Sequence, residues 1–296
     1  MKCFDFFSTF KAEPISRIFM KLYKSANDII IEQDGKHYLA QTRDWDHLVN
    51  QKHLYKKLQG ELNPWNEINW QPDHLNAPIG TQEIWAAGVT YYRSREARME
   101  ESKESGAAVF YSKVYEAERP ELFFKSTHYR VAQPGGQVNI RKDSKWNVPE
   151  PELTLFVNNA NEIVGYTVGN DMSSRDIEGE NPLYLPQAKC YNYSAAIGPC
   201  LWIPEKPINP DAKIFMQIER TGKVVFEGEI SINQMKRKHT ELVDYLTKEM
   251  SFPNGVYLMT GTCLVPDDHF TLEKGDWVHI EIDGIGKLSN KVGLSS

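Results

Sequence analysis

The N-terminal part of the chain has the pattern of apolar and polar residues that predicts short strands. Apolar residues alternate or form short blocks in the runs RIFMKLY at 17–23, DIIIEQ at 28–33 and HYLAQ at 37–41. The pair Asp34-Gly35 stands between the second and third runs, and Asp-Gly is favoured in tight hairpin turns. A helical pattern follows at 47–58. These patterns together predict a small α+β unit.

Residues 59–80 have no sustained hydrophobic period and are rich in Asn, Pro, Gly and Trp. This composition is typical of a linker or a covering loop. We therefore place a domain boundary near residue 78, with a small N-terminal domain and linker over 1–78 and a second domain over 79–296.

The second part of the chain is dominated by strand patterns. The apolar run IWAAGVT is followed by a charged stretch with helical spacing, YYRSREARMEESKE, and then by strands predicted at 152–158 and 162–169. Further strands are predicted at KIFMQIER, KVVFEGEI and DWVHIEID. One helix is predicted at 239–250, where Leu242, Leu246 and Met250 recur at four-residue steps. The fold class is therefore α+β with a β-rich core.

Composition narrows the range of functions only slightly. The 296 residues are 41% hydrophobic and 25% charged, as in ordinary globular domains, and the net charge of -6 argues against nucleic acid as the main partner. No apolar stretch reaches the roughly 20 residues of a membrane helix, so we expect no membrane partner and a cytoplasmic location. The four cysteines are scattered without metal-binding or disulfide spacing, which favours reduced thiols.

Three carboxylates are candidates for a metal site. Glu150 and Glu152 alternate at the start of the apolar run PEPELTLFV, so their side chains point to the same face of a strand. Asp171 follows the next strand, and a hairpin between the two strands would bring it back to the glutamates. Like charges at that distance need a cation, and oxygen ligands favour Mg²⁺, with Mn²⁺ or Ca²⁺ as alternatives.

A simpler interpretation exists for each of these residues. A lone E-x-E is more often the solvated face of an edge strand. The segment that begins at Asp171 is dense in charge, however, and supplies Arg175 and Asp176 as an ion-pairing set. Lys189 precedes a small-residue stretch, where a partly desolvated amine could serve as a base, although a surface lysine at a loop end is the common alternative.

A set of motifs in fixed order carries a family resemblance over residues 84–292. The motifs are GVTYYRSREAR at 88–98, RPELFFK at 119–125, EPE at 150–152, GNDMSSRD at 169–176, Lys189 with AIGP at 196–199, TGT at 260–262, and GDWVHIEIDGIGKLSNKV at 275–292. In this order they resemble the fumarylacetoacetate hydrolase family.

The resemblance implies a fold and a set of roles. It implies a mixed β-roll catalytic domain of the fumarylacetoacetase C-terminal type, and homodimers or homotetramers. It also implies Mg²⁺ bound by the two glutamates and the aspartate, with a small 2-oxo acid as the substrate. Arg175, Lys189 and Thr262 would face that substrate.

Within the family, RPELFFK, PEPEL and ENPLYLPQAK resemble the 2-keto-3-deoxy-arabinonate dehydratase branch. Hydrolytic relatives carry a histidine near the first motif, where this chain has Ser94, and hydrolysis of a carbon–carbon bond needs such a base. His128 is a candidate substitute, although a loop histidine is more often a surface residue. The resemblance thus implies dehydration of a 2-keto-3-deoxy sugar acid to 2,5-dioxopentanoate, through an enolate that the metal stabilises.

For this reaction we expect Lys189 to act as the base and Glu121 as the acid. An exposed acid at a strand start is an equally good interpretation of Glu121. Tyr91 and Arg95, with Arg93, are further candidates for substrate binding. Two alternatives stay open: a hydrolase, decarboxylase or isomerase acting on an acylpyruvate-like or dienoate 2-oxo acid, and a non-catalytic ligand-binding protein.

Overall fold

A computed structural model describes residues 19–91 and 113–295, apart from the side chain of Trp65. Eighteen strands lie in these ranges. They are β1 Phe19–Lys24, β2 Ile29–Gln33, β3 Lys36–Leu39, β4 Glu67–Ile68, β5 Glu83–Gly88, β6 Glu121–Thr127, β7 Val131–Ala132, β8 Gln137–Ile140, β9 Asn147–Val148, β10 Pro151–Val157, β11 Ile163–Asp171, β12 Ser173–Ser174, β13 Ala195–Pro204, β14 Lys213–Arg220, β15 Lys223–Ser231, β16 Val256–Met259, β17 Trp277–Ile282 and β18 Gly286–Leu294.

Helices are short and few in the described ranges. The α-helices that lie wholly within the described residues are α1 Trp45–Val49, α2 Leu54–Glu61, α3 Arg175–Glu180, α4 Leu185–Lys189 and α5 His239–Leu246. Four single 3₁₀ turns accompany them at Pro64–Asn66, His128–Arg130, Pro182–Tyr184 and Ile232–Gln234. The sheet-rich architecture agrees with the predicted fold class.

One large mixed sheet carries most of the strands. Its order is β4-β3-β2-β1-β13-β11-β10-β16-β5-β6, with β7 paired to β13. Strand β10 lies in the middle, antiparallel to β11 on one side and to β16 on the other. All seven of its residues are buried, as expected of a continuous apolar run with strands on both sides. The predicted strands at 152–158 and 162–169 are therefore central strands.

The N-terminal strands extend this same sheet. β1 pairs with β13 in antiparallel register, and β2 and β3 form the predicted hairpin. Asp34 and Gly35 both have positive φ, 53° and 77°, which is the conformation of a type I′ turn. The division near residue 78 stays a prediction, because a shared sheet neither requires nor forbids two folding units.

The helix predicted at 47–58 is divided into α1 and α2. His53 between them adopts a left-handed backbone with φ of 52°, which interrupts the helical hydrogen bonds. Buried side chains of both helices pack on one face of the large sheet, including Trp45, Leu48 and Leu58. The apolar period was thus a correct signal of burial, but it did not show the break.

A second sheet of five strands, in the order β15-β14-β17-β18-β8, covers the other face of the large sheet. Leu153 and Leu155 of β10 contribute to the core between the sheets, together with Met216 of β14 and Ile280 of β17. The helix predicted at 239–250 ends at Leu246. The prediction of Met250 as part of its buried stripe is wrong, since Met250 is 39% exposed.

Two further expectations concern the state of the cysteines and the presence of membrane-spanning helices. Cys190, Cys200 and Cys263 are free thiols. Among the helices of the described ranges, none combines the length and apolar character needed to span a bilayer.

Candidate active site

Six strands of the large sheet begin or end side by side, and the row of their ends forms one edge of the sheet. The chemically active side chains lie at this edge. Strands β5, β11 and β16 end there, whereas β6, β10 and β13 begin there, because neighbouring strands alternate in direction except for the parallel pair β5 and β16. Residues distant in sequence therefore meet at the strand ends. The loop backbone at such an edge is available for function because it is outside the sheet ladder.

The three carboxylates predicted from the sequence converge at this edge. The Asp171 N–H donates to the Glu150 carbonyl at 2.9 Å, which continues the β10–β11 ladder and sets the two residues side by side. Each of Glu150, Glu152 and Asp171 offers one carboxylate oxygen, and the three oxygens lie within 4.8 Å of one another. The hairpin thus produces the convergence that the spacing predicted.

These carboxylates are not on a solvated edge strand. Glu150 is 2% exposed and Glu152 and Asp171 are each 1% exposed. A buried carboxylate without compensation is costly, so the surrounding groups must neutralise it. The alternative of a solvated E-x-E face is excluded by this burial.

Lys189 and Arg175 both contact Glu150. The Lys189 Nζ donates to Glu150 Oε2 at 2.6 Å and to Asp171 Oδ2 at 3.3 Å, while Arg175 donates to Glu150 Oε1 from Nε at 3.1 Å. Lys189 is 0% exposed, which excludes the surface-lysine interpretation. Asp176 accepts from Ser144 Oγ and the Lys145 N–H, and its pairing with Arg175 stays a prediction.

A second buried lysine, Lys125, was not assigned a role from the sequence. Its Nζ lies 2.5 Å from Asp171 Oδ1 and also donates to the carbonyls of Met172 and Lys189, at 2.9 and 2.5 Å. Burial lowers the pKa of Lys125, and the Asp171 charge opposes that shift. Lys125 is also the unpaired residue of a β-bulge in β6. In the sequence, the E-x-F-x-K spacing of residues 121–125 was the pattern that could have indicated a role for Lys125.

The buried position of Glu152 changes the pKa of its carboxyl. Burial raises its pKa well above the usual value, and the charges of Asp171 and Glu150 add to the shift. The Gly261 N–H donates to Glu152 Oε2 at 2.6 Å and acts in the opposite direction. Gly261 has a φ of 93°, and a Cβ there would come within 2.1 Å of Thr90 Oγ1, so this position requires glycine.

The donor set fits a hard divalent cation. Oxygens around an octahedral Mg²⁺ are about 3 Å apart when adjacent and about 4 Å apart when opposite, so oxygens within 4.8 Å need only small movements. Burial raises the pKa of Glu152, and the charges of Asp171 and Glu150 add to the shift because ionised carboxylates at this separation repel one another. An added cation would relieve this repulsion.

A pocket opens beside the carboxylates. Glu150, Glu152, Asp171, Arg175 and Lys189 form its charged side, with Gly261, Thr262 and Cys263 after β16. Its apolar side consists of Ala87, Gly88, Val89, Phe123 and Val265. A cleft with one charged and one apolar wall suits a small anionic molecule that carries a short uncharged chain.

Comparison with known proteins agrees with this geometry. A family model described as fumarylacetoacetate (FAA) hydrolase C-terminal matches residues 84–293, more than two thirds of the chain. The chain belongs to the fumarylacetoacetate hydrolase family. The matched range contains all the strands that meet at the site, apart from the first residue of β5.

Named relatives lie within this family. A probable 2-keto-3-deoxyxylonate dehydratase of Haloferax volcanii is 50% identical over 220 residues, which cover 74% of this chain and 75% of the relative. A 2-dehydro-3-deoxy-D-arabinonate dehydratase of Saccharolobus solfataricus is 41% identical over 221 residues, 74% of each chain.

A solved structure gives the same family assignment. It is a 2-keto-3-deoxy-D-arabinonate dehydratase complexed with magnesium and 2,5-dioxopentanoate, and it is 31% identical with a TM-score of 0.75. The similarity covers 94% of this chain and 99% of that chain. The fold of the fumarylacetoacetate hydrolase family is therefore shared almost throughout.

Three further residues predicted from the sequence, Thr262, Glu121 and Tyr91, occupy different positions relative to the pocket. Thr262 lines the pocket, whereas Glu121, the first residue of β6, is not among the described lining residues and has its carboxyl against Gly88, which is. Tyr91 is buried, and burial raises the pKa of its hydroxyl, next to Cys263 and Glu152. Their roles stay predictions.

The remaining candidates are three residues of the first motif and His128. Arg93, Ser94 and Arg95 lie outside the described residues. His128 is exposed in a 3₁₀ turn and does not line the pocket of the described residues. A role for His128 in activating water gains no support from this position.

Proposed function

We propose that this protein is a magnesium-dependent dehydratase that converts a 2-keto-3-deoxy pentonate to 2,5-dioxopentanoate. The observation that carries the proposal is the buried cluster of three carboxylates with Lys189, in a chain 50% and 41% identical to two dehydratases of this substrate class. The related structure complexed with magnesium and 2,5-dioxopentanoate supports both the metal and the product.

The two relatives carry different sugar names, but the chemistry of the substrates is close. D-Arabinonate and D-xylonate differ at C2 and C3, and both stereocentres disappear in a 2-oxo-3-deoxy acid. The D-series compounds are therefore identical, and only the C4 configuration remains for the pocket to distinguish. We infer that the substrate is the five-carbon acid of the D series.

Glu150, Glu152 and Asp171 would hold the magnesium ion. When bound, the ion polarises the 2-oxo group of the substrate and makes the C3 protons more acidic. Arg175 and Lys189 orient Glu150 through their contacts with its two oxygens, at 3.1 and 2.6 Å. Lys125 likewise fixes Asp171 from the opposite side. Such contacts are needed because a misplaced ligand loses both affinity and rate.

Proton transfer requires a base near C3 and an acid near C4. We assign the base to Lys189, a fully buried residue that lines the pocket, and the acid to Glu121. The base removes a C3 proton, and the acid protonates the C4 hydroxyl, which leaves as water. Loss of a C5 proton and gain of one at C3 then convert the unsaturated product to the C4–C5 enol, and loss of the enol hydroxyl proton with gain of a proton at C4 gives the aldehyde. The balance is loss of one water.

Substrate binding is assigned to four further residues. Arg175 and Thr262 line the pocket and suit the carboxylate and oxo oxygens of the substrate. Tyr91 and Arg95 are assigned to the hydroxyl groups on the grounds of the sequence motif. The apolar wall of Val89, Phe123 and Val265 would exclude water from the chain of the substrate.

The purified protein with Mg²⁺ should be incubated separately with 2-keto-3-deoxy-D-pentonate, its C4 epimer, the hexonate and an acylpyruvate. Release of a semialdehyde from the D-pentonate, abolished by chelation and restored by Mg²⁺, is expected. Glu121→Gln should lower kcat about a hundredfold, as loss of a general acid does. Turnover of acylpyruvate alone would overturn the proposal and favour the hydrolase alternative.

Three wider properties belong to the same proposal. We expect a homodimer or homotetramer, and light scattering on the purified protein would distinguish these from a monomer. A cytoplasmic location fits sugar acid catabolism. The N-terminal strands β1 to β4 would serve to extend and cover the catalytic sheet, because helices α1 and α2 pack on it.

A further inference from the structure

Gly88 and Glu121 are direct cross-strand partners at the edge of the sheet where the pocket lies. Gly88 ends β5, Glu121 begins β6, and the two are paired in antiparallel register. Directly opposed residues of paired strands direct their side chains to the same face. Phe123 is two residues further along β6 and so shares that face, and it lines the pocket with its ring 5.8 Å from Lys189 Nζ. The Glu121 side chain therefore starts from the pocket face.

The Glu121 carboxyl occupies the space that a side chain at position 88 would need. A Cβ on Gly88 would lie 2.0 Å from Glu121 Oε2, 2.6 Å from its Cδ and 3.3 Å from its Cγ. The positive-φ residues of the described chain do not include Gly88. An alanine could thus adopt this backbone, and the glycine is required by the neighbouring carboxyl rather than by its own conformation.

We propose that Gly88, which lines the pocket, is a positioning residue: because it has no side chain, the Glu121 carboxyl can lie against this part of the pocket wall. The inference rests on the proposed function in one respect, namely that Glu121 is the acid of the reaction. A general acid must lie within hydrogen-bond reach of the leaving hydroxyl, and a displacement of about 1 Å can cost about a hundredfold in rate. A methyl group at position 88 would cause such a displacement.

The test uses Gly88→Ala in the full-length protein. The three atoms of the described residues nearest to the added Cβ all belong to the flexible end of one side chain, so the thermal unfolding midpoint should stay close to that of the wild type. We expect kcat to fall at least about tenfold, with KM changed less than about twofold. Affinity for Mn²⁺ should be unchanged, because the three carboxylates of the metal site are not displaced. The control is Gly60→Ala in α2, where an added Cβ meets no atom within 4 Å.

Double variants separate an effect through Glu121 from general damage. Gly88→Ala combined with Glu121→Gln should be no slower than Glu121→Gln alone, because the carboxyl is already lost. Gly88→Ala combined with Glu121→Asp should recover part of kcat relative to Gly88→Ala, since the shorter acid avoids the methyl group. The proposal would be overturned if the kcat loss in Gly88→Ala/Glu121→Gln equals the product of the two single losses. A Gly88→Ala kcat within twofold of the wild type would also overturn it.

A measurement without turnover keeps this inference distinct from the proposed function. In protein labelled with ¹³C at the glutamate carboxyl carbons, the resonance missing from Glu121→Gln identifies Glu121. Its chemical shift and titration midpoint should change in Gly88→Ala and remain unchanged in Gly60→Ala. An unchanged Glu121 resonance in Gly88→Ala would overturn the positioning role, even if no sugar acid is dehydrated. A changed resonance would support it in either case.

Discussion

Replacement of Lys125 by methionine is the sharpest test of how the metal site is built. Methionine keeps most of the volume of the side chain but removes its charge, its ion pair with Asp171 Oδ1 and its two hydrogen bonds to the Met172 and Lys189 carbonyls. Asp171, which is 1% exposed, would then lose the buried cation on its Oδ1 side. The perturbation therefore acts on a single buried ion pair and the two peptide groups beside it.

The expected loss can be worked out from these contacts. Removal of one partner of a buried ion pair costs about 3–5 kcal/mol, and loss of a charged donor to a carbonyl costs about 1.5–3 kcal/mol. These contributions overlap, and the burial cost of the ammonium, which lowers the pKa of Lys125, is recovered in the variant. We therefore expect a net loss of about 4 kcal/mol in the free energy of unfolding. This corresponds to a fall of about 10 °C in the unfolding midpoint.

The measurement is urea unfolding, in the presence of a chelator, of the wild type, Lys125→Met, Asp171→Asn and the double variant. The double variant should be more stable than the sum of the single effects predicts, because neither partner is left buried alone. Lys36→Met is the control, since its exposed pair with Glu67 at 3.0 Å should leave stability nearly unchanged. A loss below about 1 kcal/mol in Lys125→Met, or additive single effects, would refute the reasoning.

Three further predictions concern the metal ligands. Glu152→Gln should weaken Mn²⁺ binding in calorimetry by about a hundredfold or more, whereas Glu281→Gln on the exposed face of β17 should not; equal affinities would contradict the assignment of Glu152. Because burial raises the pKa of Glu152, its ionisation in the folded protein costs stability as pH rises from about 4.5 through that higher pKa. Between pH 5 and 8, the thermal unfolding midpoint of the metal-free protein should therefore fall, and the increase in this midpoint on addition of Mg²⁺ should grow. Glu152→Gln should abolish that pH dependence, and its persistence would count against this origin. Arg175→Lys should weaken metal binding about tenfold through the lost two-point contact with Glu150 Oε1, at 3.1 and 3.0 Å, and an unchanged affinity would show that Arg175 does not orient this ligand.

Local patterns were sufficient for much of the site. Alternation in a strand put Glu150 and Glu152 on one face and the hairpin returned Asp171 to them, so spacing predicted the cluster as a candidate and the family resemblance favoured it over a solvated strand face. The Asp34-Gly35 turn was predicted for the same kind of reason, because its conformational preference lies in the two residues themselves. By contrast, the break at His53 was not predicted, since an apolar helical period continues across it.

The sequence by itself determined the family, the β-rich fold class and the three carboxylates, because these depend on short-range periodicity and on motifs in fixed order. The tertiary structure alone decided that Lys125 contacts Asp171 and that the Glu121 carboxyl lies against Gly88. Both contacts arise from the pairing and crossing of strands far apart in the chain, and from a bulge in β6. No local propensity encodes such register, since it is the packing of the whole sheet that selects it.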